Sequence, residues 1–268
     1  MGTCCHGHRI MVSPWEIARI AQALQVHPRV IRDERTRDGG TCLMADGAVG
    51  IHGGPAHRVA GCTWYDANQG CRIHAHRPLA CRLYPLGRDR PHGAVRYYHL
   101  GPDFPCSSLC PSLDRTQVKT VGEYLIEQNA SSAEEAHDGY AAMAYGMVNA
   151  ALVIADAGVM PRSLLREVFS QLRGLTPDER AVKLGGEWCD LLQTPPVRWT
   201  MDASAFVAAH GHVLASMIQR RFSAPEADLA LAVEVELLMA LHLGSTVGTD
   251  PDVMADLLHT PTNGQGVS

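Results

Sequence analysis

The chain has no apolar run that approaches the ~20 residues needed to cross a bilayer. Its most apolar stretches, Met147–Ile154 and Leu229–Leu243, are short or interrupted by Glu234 and Glu236, so no membrane span is expected. The N-terminal "MGTCCHGHRI" lacks the apolar core of a secretory signal, which makes a cytoplasmic location the expectation. Also missing are GxxxxGK[ST], a GxGxxG after a strand, HExxH and GxSxG. Those absences leave no visible loop for a nucleotide or for S-adenosylmethionine, and no support for a kinase or a hydrolase. No internal repeat occurs at a fixed period. Lysine is absent from residues 1–112, where all 13 basic residues are arginines.

Cysteine and histidine are plentiful, and they are unevenly placed. Eight of nine cysteines (Cys4, Cys5, Cys42, Cys62, Cys71, Cys81, Cys106 and Cys110) precede residue 111, as do nine of 14 histidines. In a reducing compartment, clustered thiols more often bind metal or do redox chemistry than form structural disulfides. Charge divides at the same place. Residues 1–112 carry 13 basic and 8 acidic residues, a net of +5, and residues 113–268 carry 10 and 20, a net of −10. The overall −5 argues against a dedicated nucleic-acid binder. A basic, thiol-rich front and an acidic, Ala/Leu-rich back read as two units, 1–113 and 114–268. Arginines beside a thiolate cluster have a purpose of their own, because a four-thiolate metal centre is anionic.

The periodicity predicts a mainly α chain, with an irregular Cys-rich metal-binding N-terminal module packed on an all-α C-terminal half. Ser13, Pro14 and Glu16 form a capping-box start for a helix over 13–26, with Ile17, Ile20, Ala21 and Leu24 on one face and His27-Pro28 as its stop. Residues 38–61 are too glycine-rich for regular structure beyond short strands at 41–44 and 49–52; residues 96–100 form another strand. Further capping boxes are expected at Asp114/Gln117, Ser132/Glu135, Thr176/Glu179 and Ser223/Glu226, with caps at Asp202 and Asp250. About six helices between 115 and 259 follow, broken at 158–161, 174–177, 195–196 and 244–248, with 261–268 a frayed tail.

The densest chemistry lies in "CTWYDANQGCRIHAHRPLACRLYP", Cys62 to Pro85. Soft metals need thiolates that converge from separate segments. The candidates are Cys4-Cys5, Cys62-x8-Cys71-x9-Cys81 and Cys106-x3-Cys110. None of these spacings is diagnostic alone, but together they point to metal held by a subset. His6, His8, His74 and His76 read as solvated or hydrogen-bonded rather than ligating. Cys42 and Cys189 read as packing residues. His210 and His212, at i and i+2 on a helix, diverge too far to share a metal. Glu134, Glu135, Glu234 and Glu236 read as solvated faces or caps, and Met143, Met147, Met160 and Met239 as core.

The same stretch resembles the bacterial CxxCxxCC cysteine-cluster family, described as zinc- or iron-chelating, through Cys62, Cys71, Ile73, Arg77, Pro78, Cys81, Arg82, Tyr84 and Pro85. "GTCC" with "SPWEIARIA" resembles that family's first half through Gly2, Cys4, Cys5, Ser13, Glu16, Ile17, Arg19 and Ile20, and Cys110-Pro111 resembles a later element. The resemblance covers roughly residues 2 to 125. It implies metal ligands among Cys4, Cys5, Cys62, Cys71, Cys81, Cys106 and Cys110, with Arg77 and Arg82 donating to cluster sulfurs or to nearby carbonyls. In the family's register Met1 falls where a second cysteine is expected. Either a CxxC pair has been lost or the natural chain extends upstream, and the second is the expectation. The cofactor reading is an iron–sulfur cluster, with a [4Fe–4S] form first and zinc second. Two other classes compete. One is a protein-modifying enzyme, since flagellin lysine N-methylases carry a similar cluster. The other is a zinc-stabilised module that binds a protein partner through its acidic helices. Neither a nucleic acid nor a membrane is expected as partner.

Overall fold

The computed structural model describes residues 5, 8–49, 59–66, 68–90, 94–100, 118–224 and 226–259. Cys4, His6, Cys106, Cys110, the Asp114/Gln117 box and the 261–268 tail lie outside the described residues.

Helix α1 (Pro14–Leu24) opens on the expected capping box. Ser13 receives the Glu16 amide, and the Glu16 carboxylate receives the Ser13 amide. Gln25, in the left-handed region, ends it. His27-Pro28 does not terminate a helix but begins one, α2 (Pro28–Arg35), with the His27 ring as N-cap and proline at the first position. Proline tolerates that position because the amide it lacks would have no partner there. The strands form four separate antiparallel pairs: β1 (Thr36–Arg37) with β2 (Cys42–Leu43), β3 (Ala45–Val49) with β4 (Val59–Cys62), β5 (Tyr65–Asp66) with β6 (Gly70–Cys71), and β7 (Leu86–Asp89) with β8 (Arg96–His99). A short helix α3 (Leu79–Leu83) precedes β7.

The second half is helical: α4 (Val121–Glu127), α5 (Ser131–Ile154), α6 (Arg162–Arg173), α7 (Pro177–Leu184), α8 (Gly186–Gln193), α9 (Ala203–Phe222), α10 (Leu229–Val247) and α11 (Pro251–Leu257). That is eight helices among the described residues rather than six. The caps at Thr176, Asp202 and Asp250 are as expected. Two expected caps are not. Ala130 is already helical, because α4 closes with Ala130 N–H on Leu125 O and Asn129 N–H on Ile126 O. That pairing is a Schellman turn, and it delivers the chain directly into α5 before Ser132. Ser223 closes α9, and Asp228 caps α10 instead. Gly244 interrupts nothing, and α10 runs on to a left-handed Gly248.

Helix α10 is buried on nearly every side from Ala232 to Thr246 and packs most extensively on α5. A helix apolar all round has no solvent face to present, so it occupies the centre of the bundle. By length and composition alone α5, with the turn that follows it, and α10 are each apolar enough to cross a membrane, with mean hydropathy 1.5, contrary to the expectation that no such stretch exists. Two apolar clusters result. The larger joins the helical half to Trp15, Ala18, Leu79 and Leu83. The smaller gathers Val12, Ile17, Ile20, Ala21, Ile31, Leu43, Trp64 and Ile73. Helix α1 therefore serves both, one face to each.

Candidate metal centre

Four cysteines reach one cavity from four separate segments: Cys5 near the N-terminus, Cys62 at the end of β4, Cys71 on β6 and Cys81 inside α3. The cavity has a volume of about 690 Å³. Local chemistry sets each position. Asp66 Oδ1 accepts the Asn68 and Gln69 amides at 2.8 Å each, and Gly70 takes φ +77°. That tight turn folds β6 back so that Cys71 pairs with Tyr65. Pro78 then opens α3, its carbonyl receiving the Cys81 amide at 3.0 Å. Buried Ile73 and Leu79 anchor the connection on the two apolar clusters.

Burial pushes the Cys81 thiol well above the usual thiol range, and the Cys62 and Cys71 thiolates push it further. Arg77 works against them. Three thiols thus feel one another in a poorly solvated place, where joint ionisation requires a cation. Among the described residues, no three His, Cys, Asp or Glu side chains already stand as a group able to hold a metal ion. The convergence is that of a shared cavity wall. The donor set nevertheless fits a thiophilic metal centre: four cysteines, a cationic guanidinium beside them, and a low-dielectric setting.

Arg77 and Arg82 act chiefly on carbonyls. Arg77 donates to His74 O at 3.0 Å and to Gln128 Oε1 at 3.0 Å. Arg82 donates to Arg77 O (2.8 Å), Gln128 O (2.9 Å) and Ala75 O (2.7 Å). They stiffen the loop between Cys71 and Cys81 and tie it to the end of α4. Of the two, only Arg77 lines the thiol cavity. His8 and His74 line it too, whereas His76 faces a second, smaller cavity. Cys42 is fully buried, and Cys189 on α8 donates to Ala181 O, in keeping with packing roles. His210 is buried between Tyr140 and Leu191 O while His212 is exposed, so the two do part.

Two residues escaped the sequence reading. Glu16, taken as a capping residue alone, is buried and also accepts the Leu79 amide at 2.6 Å and faces His137 Nε2 at 3.2 Å. It therefore joins α1, α3 and α5 directly beneath the cysteine loop. Burial works to raise its pKa, but His137, Ser13 and Leu79 together hold it below the ordinary value. His137, on α5, lines the thiol cavity, and no sequence signal pointed to it. A third reading is corrected. Glu236 is buried at 5% exposure rather than solvated, and burial raises its pKa to about 7.

Residues 2–98 match the family model CxxCxxCC, described as a "putative zinc- or iron-chelating domain". The chain carries a domain of this family. The matched span holds all four cavity cysteines, so the CxxCxxCC domain coincides with the part of the fold built around them. It ends within β8, before the helical half begins. Neither the comparison with curated proteins nor that with solved structures finds a match.

Proposed function

We propose that the CxxCxxCC domain holds a metal centre on Cys5, Cys62, Cys71 and Cys81, and that this centre is a four-thiolate iron–sulfur cluster. The observation carrying the reading is that these four thiols, drawn from four chain segments, line one cavity in which Cys62 and Cys71 act on Cys81. A bound metal supplies the positive charge that lets them ionise together. The chain's own contribution is to hold the cysteines at fixed places through the Asp66–Gly70 turn, the Arg77 and Arg82 carbonyl contacts and the Glu16 bond to Leu79. Surplus cysteines and the arginine-rich surroundings favour iron–sulfur over zinc.

Metal and acid-labile sulfide analysis of anaerobically purified protein tests both parts. Iron and sulfide in equal amounts with a brown colour support the cluster. One zinc per colourless chain keeps the thiolate site and removes the cluster. Neither metal in stoichiometric amount removes both. Cys71→Ser is expected to lose metal, and Cys189→Ser to keep it; equal retention by both overturns the ligand assignment.

A further inference from the structure

His137 stands on α5, outside the span matched by the family model, yet its ring lines the thiol cavity. Its Nε2 lies 3.2 Å from each oxygen of Glu16. Glu16 is buried, and it also accepts from the Ser13 amide, the Ser13 hydroxyl and the Leu79 amide. Together these contacts keep it ionised at neutral pH. An ionised carboxylate only accepts hydrogen bonds, so Nε2 is the ring nitrogen that carries the proton. The neutral ring then keeps its lone pair on Nδ1.

Nδ1 makes no hydrogen bond among the described residues, and it is not sealed from water. The ring is otherwise enclosed. Its side chain is 12% exposed, and it does not line the smaller cavity beside Glu16. The open nitrogen therefore reaches the thiol cavity. It does so near the cysteines, because Glu16 Oε1 contacts both His137 Nε2 and the amide of Leu79, two residues before Cys81. The charge of Glu16 is also felt at the Cys81 thiol.

On the basis of the thiolate site proposed above, we infer that His137 Nδ1 is a further ligand of the metal centre, a nitrogen donor from the helical half beside the thiolates. A lone pair that opens into a space lined by thiols suits a metal for which imidazole and thiolate are both ligands. A carboxylate on the opposite nitrogen is the partner that metal-ligating histidines use to fix tautomer and ring orientation and to raise basicity. The donor lies beyond the CxxCxxCC domain, so metal binding would join the two halves of the chain.

Pulsed electron paramagnetic resonance on anaerobically purified, dithionite-reduced protein reads the ligand directly. A nitrogen hyperfine coupling is expected, and growth on 15N-histidine should change it. His137→Gln, whose amide can still donate to Glu16, should remove the coupling and lower metal retention under chelator about tenfold or more. His8→Gln and His74→Gln, on the same cavity, should keep both, which holds the test open even if His137→Gln fails to fold. If the metal is zinc, X-ray absorption should resolve nitrogen at about 2.0–2.1 Å beside sulfur at about 2.3 Å, and sulfur alone in His137→Gln. Sulfur ligands alone in wild type, or coupling that persists in His137→Gln, overturns the His137 ligand and leaves the thiolate site standing. Protein that takes up no metal in stoichiometric amount overturns both.

Discussion

Glu16 shows how much one side chain can do when its first role is local. A capping box needs only the Ser13–Glu16 exchange, and that was readable from four residues. The second set of bonds, to the Leu79 amide and His137, exists only because α3 and α5 pack on α1. A buried carboxylate that keeps its charge needs such partners. Glu16→Gln should lower stability by about 2–3 kcal/mol, the range for a charged hydrogen bond lost in a buried place, read from the denaturation midpoint. Since the folded pKa lies below 4.5, the stabilisation Glu16 contributes is complete above that value and is lost as pH falls through the depressed one. Leu79 stands two residues before Cys81, so Glu16→Gln should also weaken metal retention under chelator challenge, while Glu135→Gln, at an exposed position of α5, should not.

At the scale of the element, α10 concentrates the buried ionisable groups. His242 is pressed down to about 4 by burial, and Glu236 raised to about 7. His210 on α9 is likewise lowered to about 4. Between pH 4 and 6.5 the unfolded chain protonates both histidines while the folded chain does not, so stability rises with pH by about 1.4 kcal/mol per unit for each. Between 4.5 and 7 the folded chain holds a proton on Glu236 that the unfolded chain has released, which subtracts the same slope once. Glu236→Gln should therefore roughly double the pH dependence of stability between 4.5 and 6.5. It should also raise stability at pH 8, by up to about 3 kcal/mol. Urea midpoints measured across that range check both, and an unchanged slope contradicts the burial of Glu236. Leu237, fully buried on the same helix, should cost about 2–5 kcal/mol on truncation to alanine.

Across the whole molecule, the uneven charge has a structural use. Arg29 and Arg32 on α2 pair with Asp190 on α8. Arg88 on β7 pairs with Glu134 and Asp138 on α5, and Arg90 adds a second contact to Asp138. The Gly39 amide donates to Asp178, and Gln193 donates to Gly39 O. Gly40 beside them takes φ +87° with Gln193 against the place a Cβ would occupy, so Gly40→Ala should loosen this docking on steric grounds as well as backbone strain. Arginines of the basic front are thus paired with carboxylates of the acidic back, and one of them, Arg88, lines the thiol cavity together with Arg9 and Arg77. Arg88→Ala with Arg32→Ala should make the 36–100 region more open to protease, with the fragment 131–247 surviving longest, as followed by mass spectrometry. High salt should accelerate the same cleavage in wild type, less so than the substitutions because Arg32 and Arg88 are mostly shielded from solvent.

The sequence by itself determined the class of the fold, the start of α1, three helix caps in the second half and the clustering of thiols in one basic segment. Each of these rests on interactions within a few residues or on composition. It could not separate a proline that stops a helix from one that starts the next at Pro28, since the two leave the same local trace. It did not reveal that Ser132 stands behind a Schellman turn, or that Glu236 is enclosed, because both depend on where distant helices lie. For the thiol site, spacing named the cysteines but left the source of a fourth ligand open among Cys4, Cys5 and Cys110. Among the described residues the tertiary structure brings Cys5 to the cavity formed by β4, β6 and α3, while Cys4 and Cys110 lie outside them. Convergence of that kind is set by packing on the two faces of α1, and no run of adjacent residues encodes it.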